Sequence, residues 1–180
     1  ALNILRYFTN TPACVIVKHN NPSGVAVGST LSEAYYRALM ADRIAAFGGA
    51  IGLNREVDRE TAERIVGYYA ELVVAPEFSA AALDVLRGKK NLRLLRIANM
   101  VRLETYVGSR YIDFKSLIDG GIIAQWSFKP RELPDETLVA AVSERNGVES
   151  RITRPPSVAE QQDMRFGWLV ESGVTSNSVI

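Results

Sequence analysis

The sequence contains one cysteine and one histidine, and their scarcity excludes several kinds of site. Cys14 has no second cysteine with which to form an intrachain disulfide, which favours a reducing compartment. A zinc deaminase needs a His or Cys ligand with a glutamate two residues later, followed by a Pro-Cys-x-x-Cys segment. A single histidine and a single cysteine cannot supply that ligand set, so the sequence excludes zinc-dependent deamination.

Net charge and long apolar runs are also missing. The 21 Lys and Arg residues are balanced by 20 Asp and Glu residues, and a net charge of +1 does not indicate a surface for polyanions. No apolar run approaches the roughly 20 residues needed to span a bilayer, and no signal peptide opens the chain. With 180 residues and 47% hydrophobic content, we expect a cytoplasmic protein with one sizeable core.

Apolar runs alternate with helical patterns along the chain, which is typical of a three-layer α/β/α domain with a mostly parallel sheet. Thr30 and Ser157 are each followed three residues later by a glutamate, so both predict a capping box at a helix start. Asp58 and Ser79 stand at further N-cap positions. We predict strands at 13–18, 50–53, 71–75, 92–97 and 121–125, with another beginning at 178–180. We predict helices at 30–41, 58–69, 79–87, 134–145 and 157–172.

Two parts of the sequence do not fit this alternation. Residues 99–120 follow neither the two-residue period of a strand nor the 3.6-residue period of a helix. We expect them to form an excursion with a short hairpin around Gly108 and Ser109. The two ends look incomplete, because residues 2–8 resemble the last turns of a helix without a start signal and an apolar strand has only begun at 178–180. We therefore expect one α/β/α unit, residues 1–180, of a longer protein.

Residues 13–28 are the most informative segment. The apolar run from Ala13 to Val17 lacks alternation and predicts a fully buried, parallel strand. Lys18 and His19 follow at once, before a polar turn expected at 20–24.

Ligands of open α/β sheets lie outside the carboxyl ends of strands, so both side chains, Lys18 and His19, are candidates for a site. Both could reach one ligand only if the backbone turns there. Imidazole exchanges protons near neutral pH, which suits His19 as a general base, although a structural histidine is the alternative.

Three further positions have both a structural and a functional interpretation. The glycines after Phe47 could end a helix, or Gly48 could let a ligand approach the backbone closely. Glu71, at the start of a predicted strand, could be a solvated helix terminus or a ligand contact. Asn177 lies between two serines, where it could cap a turn or orient a substrate. A basic cluster lacks interleaved aromatic residues and favours a helix C-terminus over nucleic-acid binding: Arg87, Lys89, Lys90 and Arg93.

The segment 18–28, Lys-His-Asn-Asn-Pro-Ser-Gly-Val-Ala-Val-Gly, resembles a known signature. The Lys-His-x-Asn-Pro-(Cys/Ser)-Gly-Val-Ala pattern belongs to the AICAR transformylase part of the bifunctional PurH family (AICAR transformylase/IMP cyclohydrolase). Four more segments match this family in the same order, and collinear matches are more specific than any single motif. They are Ala45-Ala46-Phe47-Gly48-Gly49, Glu71-Leu72-Val73-Val74-Ala75-Pro76, Lys89-Lys90-Asn91-Leu92-Arg93 and Thr175-Ser176-Asn177-Ser178-Val179.

The resemblance implies a cytidine-deaminase-like α/β/α fold and a formyl transfer. The donor would be 10-formyltetrahydrofolate, the acceptor the 5-amino group of AICAR, and the product FAICAR. The implied partners are these small molecules and a second copy of the chain, in a homodimer with shared active sites. The cyclohydrolase half and the second transformylase unit would lie outside this sequence.

The family also implies roles for the candidate residues. His19 would accept a proton, Lys18 would stabilise the transition state, and Asn177 would orient the substrate. Substrate-binding roles would fall to Phe47, Gly48 and Glu71. Two alternatives remain open: a degenerate, noncatalytic domain used for assembly or nucleotide binding, and a different nucleotide-binding enzyme that shares the fold.

Overall fold

A five-stranded sheet forms the centre of the computed structural model, which describes residues 1–130, 140–175 and 177–178. In the order β2-β1-β3-β4-β5, its strands are β1 (Ala13–Lys18), β2 (Asn21–Val27), β3 (Gly49–Leu53), β4 (Ala70–Ala75) and β5 (Arg93–Arg96). The helices are α1 (Leu2–Leu5), α2 (Leu31–Ala41), α3 (Arg59–Val66), α4 (Ala80–Leu86) and α5 (Val158–Glu171), with a 3-10 helix at Ala98–Tyr106. None of the helices in the described ranges is long and apolar enough to cross a membrane.

The direction of β1 distinguishes it from the other strands. It pairs antiparallel with both β2 and β3, whereas β3, β4 and β5 pair in parallel. Four strands therefore run one way and β1 runs the other. The predicted mostly parallel sheet is confirmed, but the prediction that β1 itself is parallel was wrong. Its continuous apolar run reflects burial on both faces, which an antiparallel strand inside a sheet also has.

Helices cover both faces of this sheet. Cys14 and Ile16 face a hydrophobic layer formed with α2, α3 and α4. Ala13 and Val15 face the opposite layer, where α1, the 3-10 helix and α5 contribute side chains. Because alternate residues of β1 enter different layers, the strand anchors both cores. The predicted three-layer α/β/α arrangement is confirmed.

The helix starts follow the capping signals. Each predicted N-cap side chain accepts a hydrogen bond from the backbone N–H three residues later: Thr30, Asp58, Ser79 and Ser157. At Ser157 the capping box is complete, because Glu160 also accepts from the Ser157 backbone N–H. At Thr30 only half of the predicted box forms, because the Glu33 carboxylate instead accepts hydrogen bonds from the N–H and hydroxyl of Ser29.

Two hairpins after β5 differ from the predictions. Strands β6 (Ile112–Ser116) and β7 (Ile122–Trp126) pair antiparallel, which confirms a strand near 121–125 but shifts the turn from 108–109 to 117–121. Strands β8 (Val142–Arg145) and β9 (Val148–Arg151) flank Asn146-Gly147, both with positive φ. The helix predicted at 134–145 is therefore wrong over 140–145, and its residues 134–139 lie outside the described residues. Ser178 is not in a strand, and the rest of the strand predicted from 178 lies outside the described residues.

Asn54 holds the end of β3 against the segment that leads into β1. This side chain is buried; its Oδ1 accepts from the Ala13 N–H at 2.8 Å, and its Nδ2 donates to the carbonyls of Phe8 at 2.6 Å and Thr11 at 2.8 Å.

We expect Asn54→Leu to lower the free energy of unfolding by about 3 kcal/mol, because three backbone groups lose their partner. A urea titration measures this loss, with the exposed Asn10→Ala as the control expected to change it by about 0.5 kcal/mol at most. An Asn54→Leu protein as stable as that control would contradict the assigned role.

Candidate active site

The candidate site begins at the turn between β1 and β2. Lys18 pairs with Asn21, so the turn consists of only His19 and Asn20. Both have positive φ, +52° and +66°, as the two central residues of a type I′ turn require. The turn predicted at 20–24 was misplaced, because the chain reverses one residue earlier and residues 21–27 form β2. His19 is exposed at the tip, in the left-handed region where asparagine, aspartate and histidine are the most common residues after glycine.

Lys18 connects this hairpin to the beginning of β3. Its Nζ donates to the Phe47 carbonyl oxygen at 2.5 Å. This contact is possible because β1 is antiparallel to β3, so the carboxyl end of β1 meets the amino end of β3. The reversed strand therefore delivers Lys18 and His19 to the edge of the sheet where β3 and β4 begin.

Gly48 lies between Lys18 and the start of β4. Its backbone N–H donates to the Tyr69 carbonyl at 2.9 Å, and its φ is +72°. A Cβ at this position would lie 3.3 Å from the Tyr69 ring and 3.7 Å from Glu71 Oε1. The helix-end interpretation of Phe47 and Gly48 was wrong, because α2 already ends at Ala41. Glycine is needed here for the backbone conformation, and the close approach of the Tyr69 ring adds to that requirement.

Three aromatic rings form one side of this site. The Phe47 ring is 52% exposed, and its centroid lies 5.0 Å from that of Tyr69 and 5.9 Å from that of Tyr68. The Tyr68 hydroxyl donates to the Arg43 carbonyl at 2.6 Å, which fixes the ring. An exposed aromatic surface of this kind can stack against a planar heterocycle. Tyr68 and Tyr69 were not among the predicted site residues, although their place directly before the strand of Glu71 was a usable signal.

Glu71 places a carboxylate at the same edge. It is exposed, it is the second residue of β4, and its Oε1 lies on the open side of Gly48. The helix-terminus interpretation does not apply, because α3 ends at Val66. An ammonium group from Lys18 on β1 and a carboxylate from Glu71 on β4 thus approach Gly48 from the two strands that flank β3, and they can bind a ligand with both acceptor and donor atoms.

Asn177 belongs to the segment after α5, which returns to the hairpin. Asn21 Oδ1 accepts from the Thr175 backbone N–H at 2.8 Å and from its hydroxyl at 2.9 Å. Ser178 Oγ donates to the Glu171 carboxylate. Asn177 itself is exposed at a bend, and two residues of chain, about 7 Å at most, separate it from Thr175. Asn177 was among the predicted site residues, whereas the contact between Asn21 and Thr175 was not predicted.

The other sequence candidates are Cys14, which lies in the core, and the basic cluster, whose Lys89 and Lys90 line a cavity together with Tyr68 and Tyr69. Burial raises the pKa of the Cys14 thiol, so this cysteine is unreactive in the folded protein. Arg87 is the C-cap of α4 and lies 3.9 Å from Asp84, which fits the helix-terminus interpretation of the basic cluster. In the described part of the chain, no group of three His, Cys, Asp or Glu residues is arranged to hold a metal ion.

Solved structures that match part of this chain include the following two. A dCMP deaminase from the cyanophage S-TIM5 matches 48% of this chain and 79% of its own, with a TM-score of 0.40 and 13% identity. Acinetobacter baumannii RibD matches 58% of this chain and 39% of its own, with a TM-score of 0.43 and 16% identity.

Sequence comparison gives much stronger matches. The bifunctional purine biosynthesis protein PurH of Bacillus mycoides is 38% identical over 180 residues, which is 100% of this chain and 32% of the relative. PurH of Caldicellulosiruptor saccharolyticus is 37% identical over the same length, 31% of that protein. The chain thus spans about a third of these curated relatives. A family model described as the AICARFT/IMPCHase bienzyme matches residues 1–180, and the chain therefore belongs to the AICARFT/IMPCHase bienzyme family.

Proposed function

We propose that this chain carries catalytic residues of the transformylase reaction of its family, the transfer of a formyl group from 10-formyltetrahydrofolate to AICAR. The observation that carries the proposal is the convergence of Lys18, Gly48 and Glu71 at one edge of the sheet, beside the His19 turn. The site thereby combines a proton acceptor, a cation, a carboxylate and a close backbone approach.

His19 and Lys18 divide the chemical work in this proposal. The 5-amino nitrogen of AICAR is a poor nucleophile, because its lone pair is delocalised into the ring and the carboxamide. It forms a bond to the formyl carbon while the His19 imidazole takes the proton that it loses. The Lys18 ammonium stabilises the negative charge that develops on the formyl oxygen. The bond from the formyl carbon to N10 of the folate then breaks, N10 takes a proton, and FAICAR and tetrahydrofolate are released.

The remaining residues bind and orient the substrate. Phe47 stacks against the base, Gly48 allows the ligand to approach the backbone, and Glu71 accepts a hydrogen bond from the carboxamide. Asn177 orients the reacting groups. The exposed position of Phe47 and the space beside Gly48 support these roles.

The partners follow the same proposal. The formyl donor, 10-formyltetrahydrofolate, is a cosubstrate, and the protein acts in the cytoplasm as a homodimer whose subunits share active sites. Large exposed apolar side chains on the β6–β7 hairpin support a contact surface for other protein elements, among them Phe114, Ile122 and Trp126.

A direct assay tests the proposal in the complete gene product. Purified protein is mixed with AICAR and 10-formyltetrahydrofolate, and the formation of tetrahydrofolate is followed. Turnover that depends on AICAR is the expected result. Binding of AICAR without turnover would instead support a degenerate domain, and a calorimetric preference for AMP over AICAR would support another nucleotide-binding enzyme.

Asn177→Asp tests the role of a serine-flanked bend that also has a simple structural explanation. The change keeps the size of the side chain but removes its donor and adds a charge. A lost hydrogen bond in a site costs about 1–3 kcal/mol, so we expect kcat/KM to fall by at least about tenfold. The melting temperature should change little, because the side chain is exposed. A large drop in melting temperature with an unchanged rate per folded molecule would favour the turn interpretation.

A further inference from the structure

We propose that Asn21 is a positioning residue, which fixes the Asn177 segment to the hairpin that presents His19. The expected kinetic effects rest on the proposed function, whereas the hydrogen bonds between Asn21 and Thr175 do not depend on it. Asn21 is the first residue of β2 and pairs with Lys18, so its backbone is set by the sheet. Its side chain reaches a segment 154 residues away in sequence.

The orientation of the Asn21 amide follows from its partner. The Thr175 backbone N–H can only donate, so the atom that faces it at 2.8 Å must be the acceptor Oδ1. The Thr175 hydroxyl donates to the same oxygen at 2.9 Å. One side-chain oxygen thus receives two hydrogen bonds from one residue, which restrains both the backbone and the side chain of Thr175.

Asn177 is bracketed by two such contacts. On one side Thr175 is bound to Asn21, and on the other the Ser178 hydroxyl donates to Glu171 at the end of α5. The contact to Glu171 holds Ser178 to α5, the helix that precedes it. The contact between Thr175 and Asn21 instead connects the segment to the β1–β2 hairpin. The distance between Asn177 and the His19 turn is therefore controlled by Asn21.

The experiment compares Asn21→Ala with Asn21→Asp in the complete gene product. Both hydrogen bonds use the acceptor Oδ1, so Asn21→Asp retains them and Asn21→Ala loses them. We expect Asn21→Ala to lower kcat by about tenfold with a small change in KM, since the alignment of the reacting groups is lost. Asn21→Asp should stay within about threefold of the wild type.

A double-mutant cycle with Asn177→Ala separates positioning from a general structural effect. If Asn21 acts through Asn177, Asn21→Ala should cost almost nothing further in an Asn177→Ala background. Additive losses would overturn the proposal, as would a loss in Asn21→Asp equal to that in Asn21→Ala.

Hydrogen exchange provides a readout that does not depend on activity. The amide of Thr175, followed in a peptide that covers residues 173–178, should exchange faster in Asn21→Ala than in the wild type or in Asn21→Asp. Unchanged exchange in Asn21→Ala would overturn the contact. If the wild-type protein shows no formyl transfer, the proposed function fails, and the exchange of the Thr175 amide alone then decides whether Asn21 fixes this segment.

Discussion

His19→Ala is expected to lower kcat for formyl transfer by about 10²–10⁴-fold in the complete gene product, the usual contribution of a positioned general base. The protein should remain folded, because the imidazole is exposed at the tip of the β1–β2 hairpin. The measurement is steady-state turnover with AICAR and 10-formyltetrahydrofolate, with the melting temperature recorded in parallel.

His19→Asn is the matched variant for this prediction. Histidine occupies a position with φ +52°, and asparagine tolerates this region better. The variant should be at least as stable as the wild type and yet as inactive as His19→Ala, because asparagine fits the turn but its amide cannot serve as a general base near neutral pH. Cyclohydrolase activity, where the gene product has it, should be unchanged in both variants. A rate loss that merely follows the unfolded fraction would return His19 to a structural role.

Gly24→Ala is expected to cause the largest loss of stability. Helix α2 crosses β2 so closely that a Cβ at Gly24 would lie 1.9 Å from the Ala38 carbonyl oxygen and 3.3 Å from Ala41 Cβ. The obstructing atom belongs to the backbone of α2, so a rotamer change cannot relieve the clash. Overpacking costs about 1–3 kcal/mol and occasionally more, and we expect a loss of about 3 kcal/mol or more.

A urea titration and the reactivity of Cys14 measure this loss independently. The Cys14 thiol is fully buried on β1, so its alkylation reports opening of the sheet beside Gly24. Gly67→Ala is the control, because Gly67 is exposed with φ −71° and should tolerate alanine with little change. Equal urea midpoints of unfolding for Gly24→Ala and Gly67→Ala would contradict the close packing of α2 on β2.

Local signals accounted for most of the predicted elements. The N-caps at Asp58, Ser79 and Ser157 act through bonds within a few residues, so the sequence alone locates them. Asn146-Gly147 is also a local signal, the strongest short one for a hairpin, and it argues against the helix predicted up to residue 145.

Strand direction and long-range contacts have no such local signal. A continuous apolar run reports that β1 is buried, but its direction depends on which strands pair with it. The motif indicated Lys18 and His19, and the antiparallel register of β1 with β3 explains how Lys18 Nζ reaches the Phe47 carbonyl next to Gly48. The bond between Asn21 and Thr175 joins residues far apart in sequence, and no periodicity of either segment predicts it.

The two-residue length of the β1–β2 turn bears on the entropy of substrate binding. His19 is separated from paired residues on both sides by one residue at most, so its backbone is already ordered in the sheet before any ligand arrives. Fixing the backbone of a mobile residue costs about 1–2 kcal/mol, and a longer loop would lose that amount per residue from the binding free energy. Because the proposed base His19 lies on so short a turn, binding does not have to offset this ordering cost, and more of the binding free energy can stabilise the transition state.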